Sequence, residues 1–120
     1  MIWVSKGLSL VVVVAHLYFF WLESIAWRKV AGKTFRMTPE AVEQTAVMAS
    51  NQGAYNGLMA LGLLLGVVHP DPVVGFWFRA YFLAAIVVAG IWGGATVSPK
   101  IYYVQALPAL LGLGATLIGG

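Results

Sequence analysis

Four apolar stretches, each close to the length that a helix needs to cross a bilayer, constrain this chain more than any other feature. They cover roughly residues 8–27, 49–68, 76–94 and 102–119. A spanning helix needs about 20 mostly apolar residues, and the last two stretches are short enough to require some local thinning of the bilayer. Only 9% of the residues are charged, against about a quarter in soluble domains. The sequence therefore predicts one all-α membrane domain over residues 1–120, a transmembrane four-helix bundle.

The charge of the connecting loops predicts the orientation of this bundle. The first loop, residues 28–47, contains four of the seven basic residues, and the third loop contains Lys100. Two basic residues, Lys6 and Arg79, count in the opposite direction. Because loops rich in Lys and Arg stay in the cytoplasm, we expect both termini outside, in a multi-pass protein of the bacterial inner membrane.

The first loop also contains a helix signal, in the stretch TPEAVEQTA. Thr38 is suited to cap a helix and Pro39 to its first turn, while Glu40 lies early enough to interact favourably with the helix dipole. The sequence predicts a short amphipathic helix at this point, separate from the spans.

Strongly polar residues lie near the predicted cytoplasmic ends of all four spans. Glu23 is four residues before the end of the first span, roughly 6 Å inside it, and only His16 lies deeper, by about 10 Å. Polar groups inside a bilayer are costly and usually face the bundle interior or a cavity. We expect a polar cluster that is either a ligand-binding site or a structural network, comprising His16, Glu23, Asn51, Gln52, Tyr55, Asn56, Trp92, Thr96, Lys100, Tyr103 and Gln105.

Each member of this cluster also has a purely structural interpretation. The amides can hydrogen-bond between helices, and His16 can be an ordinary packed histidine. Glu23 can extend to the interface or pair there with Arg28 or Lys100.

Small residues on the second helix predict two packing faces. Gly53, Asn56, Gly57 and Ala60 follow the i, i+3, i+4, i+7 spacing of a single helix face. A second small-xxx-small pair lies on the opposite side. We expect this helix to be central, with its amide face inward, and to pack through Gly53, Gly57, Gly62 and Gly66.

The residue inventory excludes several kinds of site. The chain has no cysteine, which excludes disulfides and thiolate metal ligands. Its two histidines and four carboxylates show no metal-ligand spacing, so we expect no metal. No phosphate loop, nucleophile elbow or nucleic-acid-binding pattern occurs, and the sequence leaves any cofactor undetermined.

Several motifs resemble those of a known family. They are HLYFFWLESIAW in the first span, NQGAYNG followed by LGLLLG in the second, and GGATVSPK followed by YYVQALPALLGL in the fourth. Over essentially the whole chain the sequence resembles domain of unknown function 1304, a family of small prokaryotic four-span proteins. The resemblance implies a membrane protein without stating an activity, and it marks His16, Glu23, Asn51, Gln52, Gly53, Tyr55, Asn56, Gly57, Thr96, Gln105 and Pro108.

Three functions remain open on this basis. The first is a small-solute or proton-coupled transporter, with Glu23 as the group that binds and releases a proton. The second is a lipid-, quinone- or cofactor-binding accessory subunit of a membrane complex, in which Tyr55, Trp92 and Tyr103 stack on a head group. The third is a membrane enzyme acting on an amphiphile, for which no recognised catalytic constellation is present. The expected partners are the lipid bilayer and either further copies of the chain or a larger membrane complex.

Overall fold

The computed structural model describes residues 1–120 and is built from helices joined by short turns. The all-α prediction is therefore confirmed. The helices are α1 (Ile2–Phe20), α2 (Trp27–Thr34), α3 (Pro39–Val68), α4 (Pro72–Thr96) and α5 (Leu107–Gly119), with π-helical turns at Trp21–Ile25 and Tyr102–Ala106.

Three segments are long and apolar enough to cross a membrane: Ile2–Ile25, Pro72–Thr96 and Tyr102–Gly119. They correspond to the predicted first, third and fourth spans, although the first begins at residue 2 rather than 8 and the third at residue 72 rather than 76. The remaining predicted span, residues 49–68, lies within α3, which is 30 residues long. Three amide side chains near the beginning of residues 49–68 make this stretch less apolar than the three segments above. The role of residues 49–68 as a membrane span remains a prediction.

The prediction of a separate helix at TPEAVEQTA is wrong. These residues are helical, but they form the first turns of α3, because no Gly or Pro interrupts the chain between residues 40 and 52. The predicted cap is present, since Thr38 Oγ1 accepts a hydrogen bond from the backbone N–H of Ala41 at 3.2 Å. The separate short helix of this region is α2 instead, and sequence reasoning missed it.

Internal contacts divide the chain into two compact units, one formed by Met1–Val14 with Met59–Gly120 and the other by Ala15–Leu58. The first unit contains the apolar core, in which aliphatic side chains of four helices meet. This core comprises Val12, Val13, Ala60, Leu63, Leu83, Ile86 and Ala109.

Glycines allow the helices of the first unit to approach closely. Gly62 lies directly against the ring of Phe82, and a Cβ atom at Gly90 would lie 2.6 Å from the backbone nitrogen of Ala106. Real side chains are not found at such a distance, so α4 and the π-helical turn before α5 can pack this closely only because residue 90 is glycine.

The turn between α3 and α4 is fixed by local polar contacts. Asp71 caps α4, accepting hydrogen bonds from the N–H of Val73 at 2.9 Å and of Val74 at 3.4 Å, and Pro72 occupies the first turn. His69 Nδ1 accepts from the N–H of Asp71 at 3.0 Å. His69 thus helps to order the turn.

In the second unit, Trp27 joins α2 to the beginning of α3. Its indole Nε1 donates to Thr45 Oγ1 at 3.1 Å and to the Val42 carbonyl at 3.3 Å, and its ring lies 5.6 Å from that of Phe35. A tryptophan with an apolar ring and a satisfied N–H is typical of the membrane–water interface.

Candidate functional site

The second unit brings two of the candidate site residues into direct contact. Asn56 Nδ2 donates a hydrogen bond to Oε1 of Glu23 at 2.6 Å. Asn56 is 6% exposed and Glu23 is half-buried. Hydrogen bonds to an ionised carboxylate are roughly twice as strong as those between neutral groups. Because the amide is neutral, this contact satisfies a lone pair of Glu23 without compensating a charge.

A π-helical turn presents Glu23 at the end of the first candidate span. The turn covers Trp21–Ile25 and is closed by a backbone hydrogen bond of 2.9 Å from the N–H of Ala26 to the carbonyl of its first residue. Such turns are rare and often found at functional sites. Beside Glu23, the Ser24 hydroxyl donates to the Ser50 carbonyl at 2.7 Å, which ties the turn to α3.

Two glycines bring α3 close enough for Asn56 to reach the carboxyl group. A Cβ atom at Gly53 would lie 2.8 Å from the backbone nitrogen of Ser24 and 3.0 Å from Cβ of Glu23, and one at Gly57 would lie 3.1 Å from the ring of Phe20. Both glycines are buried on the same face as Asn56. The small residues of NQGAYNG therefore position the amide as well as the backbone.

This pair can accommodate a carboxyl group in either protonation state. An ionised Glu23 accepts a hydrogen bond from the Asn56 NH₂ group, and a protonated Glu23 can donate one to the Asn56 carbonyl oxygen after rotation of the amide. A lysine or arginine in the place of Asn56 would instead favour the ionised form strongly. The arrangement is therefore suited to a carboxyl group that gains and loses a proton or a cationic ligand.

The nearest arginine in sequence is engaged elsewhere. Arg28 Nη2 lies 3.0 Å from Oε1 of Glu43, and Arg28 Nε is 3.1 Å from both carboxylate oxygens. The pairing of Glu23 with Arg28 that the sequence allowed is thus wrong. Outside the candidate spans, the hydrogen bonds and positive charge of Arg28 lower the pKa of Glu43.

The other candidate residues of the second unit differ in burial. His16 is buried and lies edge-on to Phe19, with ring centroids 5.2 Å apart. Asn51 and Gln52 are exposed, and Tyr55 is 66% exposed. Their assignment to a binding site remains a prediction.

The candidate residues from the end of α4 onward belong to the first unit. Trp92 is 72% and Tyr103 70% exposed, and Lys100 is exposed as well. The Thr96 hydroxyl donates to the carbonyl of Trp92 at 2.7 Å, within its own helix. Half-buried Gln105 lies with Tyr103 in the second π-helical turn, and the participation of these residues in a site also remains a prediction.

Sequence reasoning missed Arg79, which is 2% exposed and lies in the first unit. Its Nη1 donates to the Gly66 carbonyl at 2.7 Å, its Nε donates to Ser5 Oγ at 3.2 Å, and its Nη2 donates to the Gly120 carbonyl. The signal was available, because a cation inside a predicted span needs partners. The count of loop charges alone treats Arg79 as a topology signal and overlooks its position within a span.

Arg79 is stabilised by main-chain oxygens near two helix ends and by a hydroxyl group. Gly66 is among the last four residues of α3, whose carbonyls have no partner within the helix, and Gly120 follows the end of α5. Each helix C-terminus carries a partial negative charge of about half an elementary charge. The guanidinium therefore lies between two such ends.

The hydroxyl groups beside Arg79 form a chain with defined donors. Thr116 Oγ1 donates to the Gly112 carbonyl at 2.8 Å, and Ser5 Oγ lies 2.6 Å from Thr116 Oγ1. Because the single proton of Thr116 is engaged, Ser5 donates to Thr116 and accepts from Arg79. Ser5 and Thr116 are fully buried, so the chain links the guanidinium to α5 through satisfied groups.

Comparisons with known proteins agree with the membrane character of these helices. A family model described as a protein of unknown function (DUF1304) matches residues 10–117. The uncharacterized protein YpaA of Lactococcus lactis subsp. lactis (strain IL1403) is 31% identical over 109 residues, covering 88% of this chain and 90% of that protein. No solved structure gives a significant match.

Proposed function

Because the chain belongs to the DUF1304 family, whose description states no activity, we propose its function from the site itself: a small membrane transporter that exchanges a proton for a small cationic solute at Glu23. The observation that carries this proposal is the hydrogen bond of 2.6 Å between Asn56 and a carboxylate inside a candidate span. Ionisable groups inside a bilayer are rare and usually mark substrate, ion or proton pathways.

The proposed mechanism follows from the charge of this pair. A carboxylate next to a neutral amide in a medium of low dielectric constant requires a positive charge, which either a proton or a cationic solute can supply. Both ligands bind the same oxygens, so binding of one displaces the other. Asn56 keeps a hydrogen bond to Glu23 in each state and thereby holds the carboxyl group in position.

The proposed topology has four spans, with α3 as the second, both termini outside and the protein in the bacterial inner membrane. Residues 49–68 of α3 include the 20 residues that a span needs. The amides that reduce its apolar character are tolerable in a bilayer where they find partners, as Asn56 does with Glu23. The basic residues of the first loop support a cytoplasmic location for it.

The alternative function, an accessory subunit whose aromatic residues stack on a head group, has less support than proton exchange at Glu23. Tyr55, Trp92 and Tyr103 are each at least 66% exposed, as expected for aromatic residues that face lipid. Assembly into homo-oligomers remains part of the proposal, and native mass spectrometry in mild detergent would measure it.

A flux experiment tests the proposed exchange. The purified protein is reconstituted into liposomes that contain a pH-sensitive dye, and quaternary ammonium ions of increasing size are added outside. These ions cannot cross the bilayer as neutral bases, so any pH change that they cause reports coupled movement. We expect such a change for the wild type and its loss in Glu23→Gln.

The chain provides a matched control for this experiment. Glu43→Gln removes a carboxylate from the same unit, but from an exposed position paired with Arg28, and it should behave as the wild type does. No ammonium-dependent flux in any protein, or equal flux in both variants, would refute the proposed exchange.

A further inference from the structure

A cleft of about 300 Å³ lies next to the end of the first candidate span. All of its lining residues fall within residues 28–43, in the second unit. Its polar side is formed by Arg28, Lys29 and Glu43. Met37, Pro39 and Val42 form its apolar side. The cleft thus combines charged and apolar walls close to the end of a candidate span.

The end of α2 gives this cleft its shape. The backbone N–H of Met37 donates to the Gly32 carbonyl at 3.1 Å, and that of Phe35 donates to the Ala31 carbonyl at 2.9 Å. Arg36, with φ of 54°, adopts the left-handed conformation that ends many helices. The chain therefore turns back over Gly32, whose missing side chain leaves the space open.

The cleft carries one net positive charge. Arg28 and Glu43 neutralise each other, whereas Lys29 forms no ion pair. The contacts with Glu43 use Nε and Nη2 of Arg28, which leaves the two N–H groups of Nη1 for another acceptor. A ligand with one negative charge and additional hydrogen-bonding groups would complement this arrangement.

We propose that this cleft binds the headgroup of a singly anionic phospholipid of the phosphatidylglycerol class. Lys29 and Nη1 of Arg28 would bind the phosphate oxygens, and Glu43 would accept a hydrogen bond from a headgroup hydroxyl. The apolar wall suits the glycerol backbone and the first methylene groups. A net neutral headgroup would leave the charge of Lys29 uncompensated, so phosphatidylethanolamine should bind more weakly.

Two lysines of α2 distinguish a defined site from general attraction to an anionic surface. Lys29 lines the cleft and Lys33 does not, although both are exposed on the same helix. General attraction is worth about 1 kcal/mol per basic residue, so either substitution by Gln would weaken binding about fivefold. A charge-assisted hydrogen bond in the site is worth more, and Lys29→Gln should then cost roughly tenfold or more.

A third variant tests the site without any change of charge. A Cβ atom at Gly32 would lie 3.4 Å from the Met37 carbonyl and 3.9 Å from Val42 Cγ2, so a side chain begins in ordinary contact and extends into the cleft. Gly32→Leu should fill the cleft and reduce binding as much as Lys29→Gln does. General attraction predicts no effect.

The experiment is native mass spectrometry of the full chain in mild detergent, titrated with phosphatidylglycerol or phosphatidylethanolamine. We expect the wild type to prefer phosphatidylglycerol, and Lys29→Gln and Gly32→Leu to lose this preference while Lys33→Gln largely keeps it. Circular dichroism and melting temperatures establish that the variants are folded. Equal losses in the two lysine variants, or no headgroup preference in the wild type, would overturn the proposal. So would displacement of the lipid by equimolar glycerol phosphate, which would identify a free phosphate ester as the ligand.

Discussion

Replacing Arg79 by methionine removes a buried charge together with three hydrogen bonds, and the structure predicts that the loss outweighs the gain. Methionine has a similar length and fills much of the same space, so the change isolates the guanidinium. Removing a cation from a buried position is favourable in itself, since the desolvation penalty of an unpaired charge disappears. Arg79 is engaged with two carbonyl acceptors at helix ends and with one hydroxyl group, however, and these contacts offset that penalty in the folded chain.

The magnitude follows from the acceptors that remain. Ser5 keeps its hydrogen bond to Thr116, and the Gly120 carbonyl is only part-buried, so water can replace Arg79 there. The Gly66 carbonyl is in a buried contact and loses its donor, at a cost of about 1–3 kcal/mol. The lost interaction with two helix C-termini adds about 0.3–1 kcal/mol each. We expect Arg79→Met to lower the free energy of unfolding by about 2–5 kcal/mol.

Equilibrium unfolding in mixed micelles, with an increasing fraction of denaturing detergent, measures this difference. Arg79→Lys should fall between the wild type and Arg79→Met, because an ammonium group keeps the charge but lacks the planar fork that reaches three acceptors. Lys33→Met, at an exposed position without an ion pair, serves as the control and should change stability by at most about 0.5 kcal/mol. An Arg79→Met protein as stable as the wild type would show that desolvation dominates and would refute the reasoning.

Two further predictions concern packing and pH. Gly90→Ala should destabilise the fold by about 1–3 kcal/mol, as overpacking does, because the new Cβ atom meets backbone atoms of the facing segment. The control is Gly114→Ala, where no atom lies within 4 Å of the new Cβ, and it should leave the unfolding curve unchanged or shift it to higher stability. Equal effects of the two substitutions would contradict the close contact at Gly90. The Arg28–Glu43 pair should stabilise the protein above the ordinary pKa of a glutamate and lose this contribution as the pH falls through the lowered pKa of Glu43. Melting temperatures from neutral to acidic pH should therefore show a component that is missing in Glu43→Gln, and identical pH profiles would argue against the pair.

The parts of the fold that follow from local patterns were predictable from sequence. The fourth span was expected at residues 102–119 and forms Tyr102–Gly119, since Lys100 and Pro99 mark its beginning and apolar residues fill the rest. The Thr38 cap and the Asp71 turn likewise depend on neighbours within four residues. Such signals need no knowledge of tertiary contacts.

The parts that depend on partners distant in sequence were not predictable. The π-helical turns have no compositional mark, and the one at Glu23 is tied down through Ser50, 26 residues away. Arg79 binds groups 74 and 41 residues away in Ser5 and Gly120, so the identity of its partners could not be read from its own segment, although its place in a predicted span indicated that partners exist. The site was predicted by grouping polar residues that lie at similar depth in the bilayer, which suggested many members. The contact between Asn56 and Glu23 depends in addition on the direction in which each side chain points, which depth alone does not give.

The central claim, that Glu23 takes up a proton while hydrogen-bonded to Asn56, is tested most directly by pH-induced infrared difference spectroscopy of the reconstituted protein. We predict a carboxylic-acid C=O band that appears on acidification of the wild type, is missing in Glu23→Gln and persists in Glu43→Gln. In Asn56→Leu the band should shift to higher frequency, because the frequency of the C=O stretch rises when a hydrogen bond is lost. A band that survives in Glu23→Gln, or one whose frequency is the same in Asn56→Leu as in the wild type, would contradict the claim.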